Sequence, residues 1–125
     1  MSKLPSRTRA LGDLGERLAC DALAKRGYIL VERNWRCAEG EVDIIARDGA
    51  VWVFAEIKTR RGCNAGLPED GLTPHKAERL VRLAQAYLAA HDLYEVDWRI
   101  DFVGIELDGL GAVKRMNIVP GAVVG

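Results

Sequence analysis

Val51-Trp52-Val53-Phe54-Ala55-Glu56-Ile57 is nearly apolar on both of its faces, and a strand of that kind belongs inside a sheet that is covered on both sides. Upstream, Gly40-Glu41-Val42-Asp43-Ile44-Ile45 reads as a second β run, and Arg47-Asp48-Gly49-Ala50 separates the two. Asp-Gly between such runs is among the strongest short-range hairpin signals. A two-residue turn at Asp48-Gly49 sets Ile45 opposite Trp52, Asp43 opposite Phe54 and Glu41 opposite Glu56. Alternation then projects Glu41, Asp43, Glu56 and Lys58 from one face, and Val42, Ile44, Val53, Ala55 and Ile57 from the other.

On the shared face Asp43 and Glu56 are diagonal neighbours, about 7–8 Å apart at the backbone. Like charges opposed across a strand pair destabilise it, so Glu41 and Glu56 need a compensating partner. A divalent cation is one: Mg²⁺ takes one or two carboxylates and completes its shell with waters and phosphate oxygens. Lys58, one alternation further along, is placed to orient or deprotonate a water or to neutralise a phosphoryl group. Charged and apolar residues also alternate in any half-solvated strand. Charges at the end of a strand buried on both faces, however, are costly unless they have a function.

Leu11, Leu14, Leu18 and Ala22 recur at helical spacing, giving an amphipathic helix that Gly27 ends. Glu16, at the margin of that stripe, either leans over the sheet edge toward Asp43 and Glu56 or is a solvated glutamate favoured by the helix dipole. Tyr28 to Arg33 reads as the first strand. Residues 61–74 form a long loop, read as a substrate-gripping flap or as disorder. Thr73 caps a second helix with Pro74 at its first position, and Ala77, Leu80, Val81, Ala84 and Leu88 are its buried stripe. Lys76, Arg79 and Arg82 recur every three residues as a basic ridge on the opposite flank, suited to phosphate contact or to plain solvation. A fourth strand over Trp98 to Ile105 and a short fifth near Ala112 to Ile118 complete an αβββαβ core with an added edge strand, an α/β layered domain. Asp101, inside an apolar strand, reads as structural and paired with Arg99 or a helix residue. The apolar tail, 119–125, packs on the core or on a second copy. Trp35, Trp52 and Trp98 are able to stack on bases, although Trp52 and Trp98 read as core.

With 125 residues and 49% hydrophobic content, the chain fits one domain, 1–125, with 1–9 as a flexible N-terminus and 61–74 as a mobile loop. Lys plus Arg equals Asp plus Glu at 18 each, so affinity for phosphate must come from local clustering. Cys20, Cys37 and Cys63 have no C-x-x-C spacing and read as reduced thiols of a cytoplasmic protein. No signal peptide or membrane-crossing run is legible. His75 and His91 lack partners at ligand spacing, and neither a Gly-x-Ser-x-Gly elbow nor a Gly-rich phosphate loop is present.

Gly15-Glu16 with Ala19, Asn34-Trp35-Arg36, Gly40-Glu41-Val42-Asp43-Ile44-Ile45, Glu56-Ile57-Lys58-Thr59-Arg60, Lys76 and Arg99-Ile100-Asp101-Phe102-Val103 follow one another along nearly the whole chain. In that set the sequence resembles the YraN-like family of small bacterial proteins, which look like members of the PD-(D/E)xK nuclease superfamily, closest to archaeal Holliday-junction resolvases. The resemblance implies a restriction-endonuclease-like three-layer α/β/α domain with a mixed central sheet. It also implies a Mg²⁺- or Mn²⁺-dependent endonuclease acting on DNA, branched or structured DNA if substrate choice follows the resolvases. Asp43 matches the first metal-binding acid, Glu56 the second, Lys58 the catalytic lysine and Glu16 the added helical glutamate, with the backbone carbonyl of Ile57 as a further metal ligand. The superfamily's Pro-Asp is absent, with Val42 before Asp43. Arg36, Arg60, Arg61, Lys76 and Arg79 are the expected nucleic-acid contacts, and a junction-cleaving enzyme needs two sites and hence a homodimer. The alternative expectation is a catalytically silent nucleic-acid-binding or adaptor protein that keeps the fold.

Overall fold

The computed structural model describes residues 7–62 and 67–123. Residues 1–6 of the expected N-terminal segment, and 63–66 of the expected loop with Cys63, lie outside the described residues. The amphipathic repeat winds Arg7–Lys25 into helix α1, and Gly27, at φ 93°, turns the chain beyond the helix end. Five strands follow: β1 (Ile29–Cys37), β2 (Gly40–Asp48), β3 (Val51–Arg61), β4 (Trp98–Leu107) and β5 (Val113–Val123). A 3₁₀ turn over Pro68–Gly71 and helix α2 (Pro74–Ala90) connect β3 to β4. The sheet order is β1-β2-β3-β4-β5, antiparallel except for the parallel β3–β4 pair that the α2 crossover permits.

Each face carries one helix. On one side Ala19, Cys20 and Leu23 of α1 pack on Ile44, Ala46, Val53, Ala55, Val103 and Ile105. On the other, Leu80, Leu83, Ala84, Tyr87 and Leu88 of α2 cover Val42, Ile45, Phe54 and Ile100. This is a three-layer α/β/α arrangement with a mixed sheet, and β3 is central in it, as its doubly apolar sequence requires. Trp35, Trp52 and Trp98 all pack into the α2-side core, with Trp35 edge-on to Tyr87 at 5.2 Å. No described helix is long and apolar enough to cross a membrane.

Four local expectations change. The hairpin turns on Gly49-Ala50, with Gly49 at φ 61°, so Asp48 pairs with Val51 and Ile45 with Phe54. The register is two residues from the expected one, and a shift of two keeps the side chains of the laddered stretch, Ile44 to Asp48 and Val51 to Ala55, on their faces. In α2, Leu83 and Tyr87 join Leu80, Ala84 and Leu88 as the buried stripe while Ala77 and Val81 are half-buried, Val81 still packing on the same core, because the helix presents its aromatic-bearing flank to Trp35 and Trp52. Thr73 does cap α2 and accepts from the Lys76 N–H. Part of the expected flap is ordered: Pro68 is buried and the 3₁₀ turn rests beside β3 and β4. Finally, β5 is not short. It continues through Pro120, bulging at Gly121 (φ 60°) so that Ile100 meets Val123 and Phe102 meets Val119, an arrangement that an edge strand tolerates.

Asp101, fully buried, explains that bulge. It accepts from Arg99 Nε (2.9 Å), Tyr28 Oη (3.1 Å) and the Gly121 N–H (3.0 Å), while Arg99 also reaches Asp48 (3.0 Å). The structural pairing with Arg99 expected from sequence is present. Cys20 and Cys37 are free thiols.

Candidate functional site

β2 and β3 are laddered only from the turn to Ile44–Ala55, whereas β1 follows β2 out to Cys37–Gly40. Beyond Ala55 the two central strands part, and a notch opens between them. Asp43 fills its apex: its Oδ2 accepts the Ile57 N–H at 2.8 Å, taking the place of a ladder partner. Side-chain alternation breaks at the same point. Val42 belongs to the α2-side core and Ile44 to the α1-side core, and in β1 the facing irregularity is Asn34 at φ 53°, a conformation that asparagine tolerates better than most residues.

The notch lets both layers contribute. From α1, Glu16 approaches because Gly15 has no side chain: a Cβ there would lie 1.8 Å from Thr59 Oγ1 and 3.0 Å from Thr59 Cβ. Carboxylate oxygens of Glu16, Glu41 and Asp43 come within 4.8 Å of one another. Asn34 holds two of them apart, its amide oriented so that Nδ2 donates to Glu16 Oε1 (2.8 Å) and Glu41 Oε1 (2.7 Å). Arg33 stands 3.6 Å from Glu16, and Arg36 pairs with Glu41 at 3.1 Å. On the α2 side, Glu41, Asp43 and Glu56 face Lys76, Arg79, Leu80 and Leu83 across a cavity of about 230 Å³. These four α2 positions follow i, i+3, i+4, i+7 spacing, one helical face, so Lys76 and Arg79 lie on the sheet-facing flank and not opposite the stripe. Arg82 remains exposed.

The electrostatics follow from this crowding. Burial, then the neighbouring Glu56 charge, pushes the Asp43 carboxyl up to about 8. Burial also raises Glu56, against the opposing pull of Lys76, Lys58 and Arg79. Glu16 is raised by burial, with Arg33 and the Asn34 amide working the other way. Without a cation, then, Asp43 and Glu56 are not both ionised at neutral pH, because two close carboxylates in a poorly solvated site repel. Oxygen-only donors of this kind suit a hard divalent cation.

Of the residues singled out in the sequence, Glu16, Asp43, Glu56, Ile57, Lys76 and Arg79 converge on the notch and its cavity. Lys58 lies one alternation from Glu56, with its stem against the 3₁₀ turn: a Cβ on Gly71 would stand 3.5 Å from Lys58 Cε. Arg36 is at the rim. Arg60 and Arg61 are not brought to the cavity: Arg61 donates to the Gly109 carbonyl (2.9 Å), and the Arg60 Nε is buried without a hydrogen-bond partner. The sequence reading gave no site role to Asn34 or Arg33; an Asn before Trp-Arg in a strand, a residue fit for positive φ, was the available signal.

A family model described as Uncharacterised protein family UPF0102 matches residues 15–105. Among similar proteins, a UPF0102 protein of Roseiflexus castenholzii is 51% identical over 118 residues, 94% of each chain. One of Beutenbergia cavernae is 45% identical over 84% of this chain and 89% of its own, and one of Streptomyces griseus 47% over 82% and 87%. The match spans α1 through β4, every element that builds the notch, and the chain belongs to the UPF0102 family, the YraN-like family that its motifs resemble.

Proposed function

We propose that this protein is a divalent-metal-dependent hydrolase of phosphodiester bonds in DNA, with branched or structured DNA as its substrate. One observation carries the reading: a single cavity sets the carboxylates of Asp43 and Glu56 opposite the cations Lys76 and Arg79, the charge layout that a metal ion and a phosphate together would neutralise. The PD-(D/E)xK resemblance supports it. Asp43, Glu56 and Glu16 would hold Mg²⁺ or Mn²⁺, and the Ile57 carbonyl suits a further ligand, since the N–H of the same residue already faces the notch. A bound ion of this type polarises a phosphoryl oxygen and lowers the pKa of its water. Lys76 and Arg79 bind the phosphate and offset its charge. Lys58, whose charge is felt at Glu56, orients the attacking water, and the leaving 3′ oxygen departs to give a 5′ phosphate.

The test is cleavage of linear, nicked, flapped and four-way DNA in Mn²⁺ against EDTA. Wild type should cut at least one, and Asp43→Asn and Glu56→Gln should lose at least a hundredfold in rate. Binding without any metal-dependent cutting would instead support the catalytically silent nucleic-acid-binding or adaptor protein, and the balance of 18 basic and 18 acidic residues fits weak or partner-dependent DNA engagement.

A further inference from the structure

The cavity does not end at Arg79. A more open groove of about 380 Å³ continues from it between the β1–β2 turn and α2, lined by Arg36, Cys37, Glu39, Gly40, Glu41 and Arg79. Glu41 and Arg79 line both spaces, so the groove adjoins the cavity. We propose that this groove is a second phosphate subsite, which holds the phosphodiester adjacent to the one in the cavity and is gripped by Arg36 and Arg79. The substrate is then a polynucleotide strand with at least one flanking phosphate, not a mononucleotide or an isolated diester. This inference rests on the hydrolase reading for the identity of the strand in the cavity.

Gly40 is the residue that makes the subsite. At φ 146° it lies in a conformation that side-chain-bearing residues rarely adopt, and a Cβ there would stand 2.5 Å from Arg79 Nη2 and 3.0 Å from its Nε. The Arg79 guanidinium therefore rests on bare backbone at the junction of cavity and groove, where its planar fork reaches phosphate on either side. Arg36 faces it from the rim. Its Nε is engaged by Glu41, and the exposed remainder of its fork is available to a ligand. A surface pair of this kind contributes at most about 1 kcal/mol, so a phosphate competes with it readily. Glu39 and Glu41 decide the class of phosphate. Their charges oppose a terminal monoester, which carries close to two charges above its second pKa of about 6, more than a diester, which carries one.

The experiment is fluorescence anisotropy of a labelled four-way DNA from 50 to 200 mM NaCl, with Ca²⁺ in place of Mn²⁺ to suppress cutting, on wild type, Arg36→Ala and Gly40→Ala. Each variant should weaken binding about fivefold and lower the salt slope by about one, the signature of one lost phosphate contact. In Mn²⁺, Arg36→Ala should slow DNA cutting at subsaturating substrate at least fivefold more than it slows hydrolysis of bis(p-nitrophenyl) phosphate, which has no flanking phosphate. Arg36→Ala keeps the test open if Gly40→Ala is unstable. Wild-type affinity and slope in Arg36→Ala, with cutting intact, would overturn the subsite and leave the hydrolase reading standing. The Arg36-dependent slope without any cutting would do the reverse, and no DNA binding by wild type would overturn both.

Discussion

Asp43 keeps its charge at a cost that depends on pH. Its carboxyl is raised from an ordinary value near 3.8 to about 8, so between those values the native state binds more protons than the unfolded chain, and stability falls as pH rises. The penalty is absent below the lower value and complete above the upper one. Asn in its place still accepts from the Ile57 N–H and adds a donor toward Glu56, as the protonated acid does. Asp43→Asn should therefore melt a few degrees higher than wild type at pH 8 in EDTA, with the gain shrinking toward pH 5; a lower melting temperature at pH 8 would make Asp43 a structural acceptor. Asn34 is the opposite case, a donor between two carboxylates. Asn34→Asp keeps the positive φ tolerable but places a third negative charge beside Glu16 and Glu41. Thermal denaturation at pH 8 should show a loss on the order of 1–3 kcal/mol, recovered in part at pH 5. Asp43 was legible because an acid in an apolar run is conspicuous. Asn34 was not, since its role lies in φ and in partners 18 residues upstream and 7 downstream.

Helix α1 reaches the notch only because Gly15 lets it lie against Thr59. Gly15→Ala forces one or the other to move, an overpacking that costs about 1–3 kcal/mol and withdraws Glu16 from Asp43. Thr59→Ala in the same chain removes the 1.8 Å overlap but not the 3.0 Å approach to Cβ, so it should restore part of the lost melting temperature. Gly15→Ala melting like wild type would show that α1 docks elsewhere. The helices themselves were readable from apolar spacing, and α2 from Thr73-Pro74. The flank that α2 turns to the sheet was not, because it is chosen by what Tyr87 meets there, Trp35 of β1 and Trp52 and Phe54 of β3.

Across the molecule, two charged centres divide the labour. The notch gathers the carboxyl groups of Glu16, Glu41, Asp43 and Glu56, and the Asp101 network ties the chain after α1 through β4 to β5. Mn²⁺ at a hundred times its dissociation constant should add about 2.7 kcal/mol of stability if the unfolded chain does not bind it, and Asp43→Asn or Glu56→Gln should abolish most of that increment. Asp101→Ala, by leaving the Gly121 N–H without its acceptor and Arg99 with Asp48 alone as counter-charge, should cost about 1–3 kcal/mol yet leave the metal increment intact. A metal response lost in Asp101→Ala would mean that the two centres are coupled.

Features that repeat locally were legible along the chain. Period-two alternation assigned Glu56 and Lys58 to one face and Ile57 to the other, a parity to which a register shift of two is indifferent. Apolar coverage of β3 on both faces determined the layers. Long-range packing set where β2 leaves β3, the joint break in alternation at Asn34 and Asp43, the turning of Lys76 and Arg79 toward the acids, and the continuation of β5 to Val123. Each of these depends on contacts between residues far apart in the chain, whose geometry is set by how two helices seat on one twisted sheet and not by any local pattern.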